Sequence, residues 1–322
     1  EVEQINVEDM IKDEDMVVMI SRLGYIKRVS AAKYKKQSRG GTGSNSTTLI
    51  EDDYINQLFI GSTKEHLLFI TNIGKAYWVR IHEIPESEKA SRGAHIKGLL
   101  QVGPDEEITT IVSLKKFSDD QYLFMTTANG IVKKVRSTEF QNAKTRGIIG
   151  IKLNDNDKLI SAIPTTGDSD VMLISRRGKA LRIKESTVRS MGRASCGIKG
   201  MKLVEGDEIA AAVKIENDSS MILLTEKGYG KRISFDLYAP HGRGTGGQRV
   251  FGNVEGKGEI IGALNVKETD ELVCMTSQGK TLRFKSTDIK EQGQGASGVK
   301  IVKITEPDYL VGIDKVEEKK ED

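Results

Sequence analysis

Ten basic residues recur along this chain at spacings that could hold a row of phosphates. Arg28, Lys134, Arg182, Arg232 and Arg283 each stand four places after a glycine, and Arg39, Arg92, Arg146, Arg193 and Arg243 each stand in a Gly-rich loop. One base per unit length suits contact with a polyanion whose backbone phosphates are met in succession, with no base edge to be read. Negative residues would keep a strand face equally soluble, and none occurs in the first column.

Other chemistries find little support. The chain has no His-Glu-x-x-His, no Cys-x-x-Cys and no Walker phosphate loop, and His66, His82, His95 and His241 are scattered, so no metal ligand set is expected. Glu51-Asp52-Asp53 falls where other copies of the repeat described below place an acidic turn. Gly242-Arg243-Gly244-Thr245-Gly246-Gly247 matches a dinucleotide fingerprint in form, but that fingerprint needs a strand before it and a helix after it. Gln248-Arg249-Val250-Phe251-Gly252 has no helical pattern, and the segment is expected to be another Gly-Arg loop that offers backbone N–H groups and a guanidinium to phosphate.

The elements that must carry these bases are read from a six-fold repeat. Its anchoring glycines are Gly24, Gly74, Gly130, Gly178, Gly228 and Gly279, at intervals of 50, 56, 48, 50 and 51 residues. Three places before each is a small hydroxyl: Ser21, Thr71, Thr127, Ser175, Thr225 or Thr276. Five and six places before are apolar residues, and five after come Val29, Val79, Val135, Ile183, Ile233 and Phe284. Each copy therefore reads as strand, tight turn at glycine, strand. The base column precedes an apolar column by one place, so the two face opposite sides of the strand; with the apolar side buried, the bases are expected to point outward. Trp78 interrupts the column in the second copy and, beside Tyr77, is expected to pack against a neighbouring unit.

A second half follows each hairpin: a Gly- and base-rich loop, an acidic turn and another apolar run, as in Ser91–Gly98 and then Val102–Ile108. Each unit of about fifty residues thus holds about four strands, the size of a propeller blade, and six such units can close a ring. Closure requires the segment near Met16–Ile20 to lie beside the last copy. The long 56-residue interval is expected to be extra loop near Lys115–Asp120. The composition agrees with an all-β chain: 37% hydrophobic, 33 glycines, 5 prolines and no sustained helical period.

The formal net charge of +3 is unevenly placed. Residues 1–15 hold seven acids against one base, a net of −6, which leaves +9 on residues 16–322. The basic body points to nucleic acid, and the absence of a basic amphipathic helix or long apolar run argues against membrane. Cys196 and Cys274 are too few for a disulfide framework, which fits a reducing compartment. The expected organisation is an acidic lead-in over 1–15, the repeat domain over 16–314 and a disordered charged tail over 315–322, the whole being a piece of a larger protein.

The first loop makes a family resemblance specific. Gln37-Ser38-Arg39-Gly40-Gly41-Thr42-Gly43 resembles the seven-residue box of the C-terminal domain of the DNA gyrase A subunit, usually Gln-Arg-Arg-Gly-Gly-Lys-Gly. Five of seven positions agree; Ser38 and Thr42 replace an Arg and a Lys, while Lys35 and Lys36 lie just upstream. The six-copy repeat is also similar to that family, so the resemblance covers essentially the whole chain. It implies a six-bladed β-pinwheel, with strands exchanged between blades and double-stranded DNA wrapped around the rim so that gyrase introduces negative supercoils. The implied DNA-binding residues are the box, Gln37 to Gly43, and on the rim Arg28, Lys35, Lys36, Arg92, Lys134, Arg146, Arg182, Arg193, Arg232, Arg243 and Arg283.

By the same resemblance this domain has no catalytic residue, metal or cofactor; the full enzyme uses ATP and Mg on other domains. The implied partners are DNA, the rest of the gyrase A subunit, and the gyrase B subunit, in an A2B2 heterotetramer of the bacterial cytoplasm at the nucleoid. The isolated domain is expected to be monomeric. Two other readings stay open: the C-terminal domain of topoisomerase IV, with fewer blades or a degraded box, and a propeller that binds protein.

Overall fold

A computed structural model describes residues 10–21, 23–33, 55–88, 91–278 and 280–316. The first repeat forms β1 (Asp15–Ser21), β2 (Tyr25–Ser30) and β3 (Ile55–Ser62). Every later repeat forms two hairpin strands, a two-residue strand and a long strand. The second gives β4 (His66–Thr71), β5 (Lys75–Arg80), β6 (Ala94–His95) and β7 (Ile108–Leu114). The third gives β8 (Tyr122–Thr127), β9 (Ile131–Arg136), β10 (Ile148–Ile149) and β11 (Leu159–Thr165). The fourth gives β12 (Asp170–Ser175), β13 (Lys179–Lys184), β14 (Ile198–Lys199) and β15 (Ile209–Lys214). The fifth gives β16 (Ser220–Thr225), β17 (Tyr229–Ser234), β18 (Gln248–Arg249) and β19 (Ile260–Val266), and the sixth β20 (Glu271–Thr276), β21 (Thr281–Lys285), β22 (Val299–Lys300) and β23 (Leu310–Val316).

The hairpin turns explain the two most regular columns. Gly24, Gly74, Gly130, Gly178 and Gly228 have φ between 82° and 94°, where a Cβ is strained, and each donates its N–H to the carbonyl three residues back. The small hydroxyl at that position accepts from the N–H just past the turn: Tyr25 to Ser21 at 3.1 Å, Lys179 to Ser175 at 3.1 Å, Tyr229 to Thr225 at 3.2 Å. Gly279 lies outside the described residues.

Strands pair across repeats. The sheet orders are β3-β1-β2-β6, β10-β5-β4-β7, β11-β8-β9-β14, β15-β12-β13-β18 and β19-β16-β17-β22, so each two-residue strand completes the sheet of the repeat before its own. The sixth sheet, β21-β20-β23, has three strands among the described residues. The long strands β7, β11, β15, β19 and β23 touch in succession and crowd the axis, which leaves the exchanged strands on the outer edge. This is a six-bladed β-pinwheel, all-β and propeller-like.

The core lies between blades. One cluster joins Val18 and Ile26 of the first blade to Phe69 and Tyr77 of the second; Leu68 and Ile70 of the second pack on Met125 and Val135 of the third. The pattern continues through Phe124 with Leu173, Met172 with Leu223, and Ile222 with Cys274. Among the described residues no such cluster joins the sixth blade to the first. Burial in this core pushes the Cys274 thiol up to about 11.

Two boundaries differ from expectation by a residue or two. β1 starts at Asp15, and β23 continues through Lys315 and Val316, where the Lys315 amine reaches Asp270 at 3.4 Å. The 56-residue interval holds a short helix at Ile96–Leu99 as well as the connection around Lys115–Asp120. No helix among the described residues is long and apolar enough to cross a membrane.

Candidate nucleic-acid interface

Apart from Arg283, the base column does not face solvent, which corrects the outward reading. Alternation places these residues opposite the apolar column as expected, but in a propeller both faces of a blade are covered, and this face meets the next blade. Arg28 donates from Nε to Ile84 O at 2.6 Å, with Glu86 3.8 Å away. Arg182 donates from Nε to Asp170 Oδ2 at 2.8 Å and from the guanidinium to Phe235 O and Tyr238 O at 3.2 and 3.3 Å. Arg232 donates from Nε to Ile289 O at 2.7 Å. Lys134 sits 3.8 Å from the buried Glu185 carboxylate and over the Tyr122 ring. Ile84, Glu185, Phe235 and Ile289 belong to, or immediately follow, the 3-10 turns Ile81–Glu83, Glu185–Thr187, Phe235–Leu237 and Ser286–Asp288 of the following repeat.

The column is therefore a series of blade-to-blade clamps. Trp78 performs the same role with different chemistry: its Nε1 donates to Phe140 O at 3.0 Å and its ring packs with His66 and Phe117. Arg283 holds no neighbouring blade among the described residues; its side chain is 57% exposed, with Glu271 4.0 Å away.

A second column, one place earlier, went unread in the sequence: Lys27, Tyr77, Lys133, Leu181, Lys231 and Leu282. All but Leu282 are buried. A buried ammonium needs an acceptor for each N–H, and here backbone carbonyls supply them. Lys133 Nζ donates to Gly150 O, Arg193 O and Ser195 O at 2.9, 2.7 and 2.9 Å; Lys231 Nζ donates to Val250 O, Gln294 O and Ala296 O at 2.8, 2.9 and 3.1 Å. Each amine thus ties together two Gly-rich loops from successive repeats. Burial pulls both amines down to about 8. Tyr77 at this position donates to Glu106 at 2.8 Å, and burial raises its phenol well above its ordinary value.

The loop bases stay at the surface. Arg146 is exposed; Arg92 is exposed and lies over the Tyr25 ring at 4.6 Å. Arg243 is exposed and donates to Thr187 O and Lys199 O, each at 3.1 Å. Arg193 is half-buried, paired with Glu139 at 3.6 Å and donating to Ile149 O. The Gly242–Gly247 segment runs into β18 rather than a helix. Lys35, Lys36 and the box residues Gln37, Ser38, Arg39, Gly40, Gly41, Thr42 and Gly43 lie outside the described residues.

The outer edge carries bases the sequence reading missed. A second glycine column, Gly93, Gly147, Gly197, Gly247 and Gly298, has φ between 73° and 90°, and a Cβ on any of them would strike the preceding blade. Two places beyond each glycine the exchanged strand ends, at His95, Ile149, Lys199, Arg249 and Lys300. Lys152, Lys202 and Lys303 follow three places later. Lys199, Arg249, Lys300, Lys152, Lys202 and Lys303 are exposed, as is Lys97, and among the described residues none of the seven is in an ion pair. A two-residue strand has no periodicity to detect; counting from the second glycine column would have found these bases.

The architecture and its basic outer edge define a strand-exchanging six-bladed propeller that offers exposed cations along the outer edges of its first five blades. A family described as DNA gyrase C-terminal domain, beta-propeller matches residues 15–62, 65–115, 121–166, 169–216, 219–267 and 270–317, and the chain belongs to that family. It is 58% identical over 313 residues to the A subunit of DNA gyrase from Treponema pallidum (strain Nichols), a match covering 97% of this chain and 38% of that protein. The chain therefore spans well under half the length of that relative. Among solved structures, the DNA gyrase A C-terminal domain superposes with a TM-score of 0.78 at 33% identity, covering 94% of this chain and 99% of that one. The C-terminal domain of DNA topoisomerase IV superposes with a TM-score of 0.80 at 25% identity, covering 96% and 95%.

Proposed function

We propose that this domain binds double-stranded DNA without regard to sequence and bends it along the outer edge of exchanged strands, so that gyrase can introduce negative supercoils. The observation that carries the reading is the set of exposed bases, outside any ion pair among the described residues, at the ends of the exchanged strands and just beyond: Lys97, Lys152, Lys199, Lys202, Arg249, Lys300 and Lys303. Phosphate contacts spread along a path suit such an edge, since they fix a duplex in place and carry no sequence information. Smoothly bending 20–30 bp by 40–90° costs roughly 1–6 kcal/mol, and contacts at successive blades offset it step by step. In this reading the domain is non-catalytic and needs no cofactor, while ATP and Mg chemistry, the gyrase B subunit, the remainder of the A subunit, the A2B2 assembly and the bacterial cytoplasm form its wider setting.

Titration of random-sequence duplex against salt tests this. Seven phosphate contacts predict a log affinity against log salt slope of about −6, at −0.9 per contact. A slope shallower than about −3, or no retardation at low salt, overturns the reading in favour of a protein-binding propeller.

A further inference from the structure

The fourth blade differs from its neighbours at the outer edge. Where an exchanged strand pairs with the hairpin strand, the opposed residues are Tyr25 with His95, Lys75 with Ile149, Ile131 with Lys199 and Tyr229 with Lys300. Among the described residues, only in the fourth blade are both partners basic: Lys179 stands directly across from Arg249. Like charges directly opposite on a sheet repel. Neither has an ion pair among the described residues, and the turn adds a third exposed base, Arg177, whose guanidinium donates to Glu205 O at 3.3 Å. The corresponding turn residues in the first three blades are Leu23, Ile73 and Asn129; the fifth has Lys227, but there the strand position across from Lys300 is Tyr229, so the paired bases remain particular to the fourth blade among the described residues.

These three bases line a cleft of about 610 Å³, open to solvent, together with Phe251, Gly252 and the start of the short helix Val254–Lys257. A short helix follows the exchanged strand here and, at Ile96–Leu99, in the second repeat. After the exchanged strand, the third, fourth and sixth repeats continue as Ile151-Lys152-Leu153, Met201-Lys202-Leu203 and Val302-Lys303-Ile304; the fifth continues as Phe251-Gly252-Asn253, which drops the lysine while Phe251 and Val254 lie against the Gly178 turn. The same lining includes two carboxylates. Glu259 is held by Arg176 at 2.7 Å, and Glu255 is exposed.

We infer that the Arg177, Lys179 and Arg249 cleft is a phosphate-pair subsite, which takes two adjacent backbone phosphates of a duplex and anchors the DNA path at the fourth blade. The inference rests on the DNA-binding reading above. Three cations lining one open cleft, with no exposed aromatic ring to stack a base, match a backbone and not a nucleobase. The anion relieves the Lys179 to Arg249 repulsion, so binding at this point gains more than at an edge with one base. Glu255, at the rim of the same cleft, opposes it.

The test uses the whole chain with a random-sequence duplex and three variants: R177A/K179A/R249A, E255Q, and K115A/K116A/K267A. The last removes the same charge from exposed positions at the ends of the axial strands. All replaced side chains are exposed, and thermal melting checks that each variant folds. Loss of two phosphate contacts lowers the salt slope by about 2 and the affinity roughly 50-fold at about 0.1 M salt, from 0.9 decade per contact per decade of salt. E255Q tightens binding, and K115A/K116A/K267A leaves the slope within one contact of wild type. An excess of inorganic pyrophosphate competes with DNA on the wild type and has no effect on R177A/K179A/R249A. If wild type binds DNA but the cleft variant keeps its slope and its sensitivity to pyrophosphate, the subsite is refuted while the DNA-binding reading stands. If wild type does not bind, the DNA-binding reading itself has failed.

Discussion

Replacing Arg182 by Met separates a clamp from a phosphate contact. The side chain is only 19% exposed and its Nε donates to Asp170 Oδ2 at 2.8 Å, with that carboxylate similarly covered. A hydrogen bond to a charged group contributes roughly 1.5–3 kcal/mol, discounted toward the lower half because both groups keep some contact with water. The two longer bonds to Phe235 O and Tyr238 O add about 0.5 kcal/mol each, and their loss leaves carbonyls of the next blade unmet. Arg182→Met should therefore cost about 2–3 kcal/mol, read as a lowered thermal midpoint or denaturant midpoint. Arg283→Met is the matched control at the same repeat position: with a 57% exposed side chain and an ion pair at 4.0 Å it should cost under about 0.5 kcal/mol. Salt titration with DNA gives the second axis, since a residue that meets phosphate should flatten the slope by about 0.9 when removed. Arg182→Met is expected to leave the slope unchanged for the molecules that remain folded. The clamp reasoning is refuted if Arg182→Met is as stable as Arg283→Met and the slope falls by a full contact.

Other outcomes follow from the same geometry. Gly247→Ala should destabilise by more than about 2 kcal/mol, because φ is +76° and the new Cβ would sit 2.6 Å from Ala180 O, whereas Gly242→Ala, with open space around it, should be near neutral; chemical denaturation compares them. Lys133 gives a pH signature. Its amine titrates near 8 when folded and near 10.4 when unfolded, so between those values the unfolded chain holds more protons and the contribution of this group to stability rises with pH. Below pH 8 both states carry the proton and the contribution is at its minimum. Measured against Lys133→Met, wild type should gain on the order of 1–2 kcal/mol between about pH 8 and pH 9.5, and a gap that stays constant would contradict the burial of a titrating amine.

The hairpins were legible because their signals are local. A glycine at positive φ, a hydroxyl that accepts from the N–H past the turn and strict alternation all lie within about ten residues, as at Ser21 to Val29. The strand exchange was not legible, since β14 pairs with β9 from the preceding repeat and is only two residues long. The direction of the base column was half legible: alternation says which side Arg28 takes, but not that a second blade covers that side. The Lys27 column hid for a further reason. A mixture of Lys, Tyr and Leu obeys no hydropathy rule, and only the carbonyls converging on Lys133 and Lys231 explain why a lysine can occupy a core position. The edge bases Lys199, Arg249 and Lys300 were present in the sequence as ordinary loop residues until the exchanged strands fixed them in register with the hairpins.

The borrowed outer strand also sets what a unit of inheritance can be in this chain. The shortest stretch that contains the whole second sheet runs from His66 to Ile149, and the shortest that contains the third runs from Tyr122 to Lys199, so neighbouring stretches share Tyr122 to Ile149. They overlap like roof tiles. A cut after Lys267, between the fifth and sixth repeats, removes β22 and strips an outer strand from a blade whose own residues are all retained. Fifty residues duplicated or deleted inside the array leave each sheet to be completed by whatever repeat comes next, whereas removing a repeat from its C-terminal side takes the outer strand from the sheet of the repeat before it.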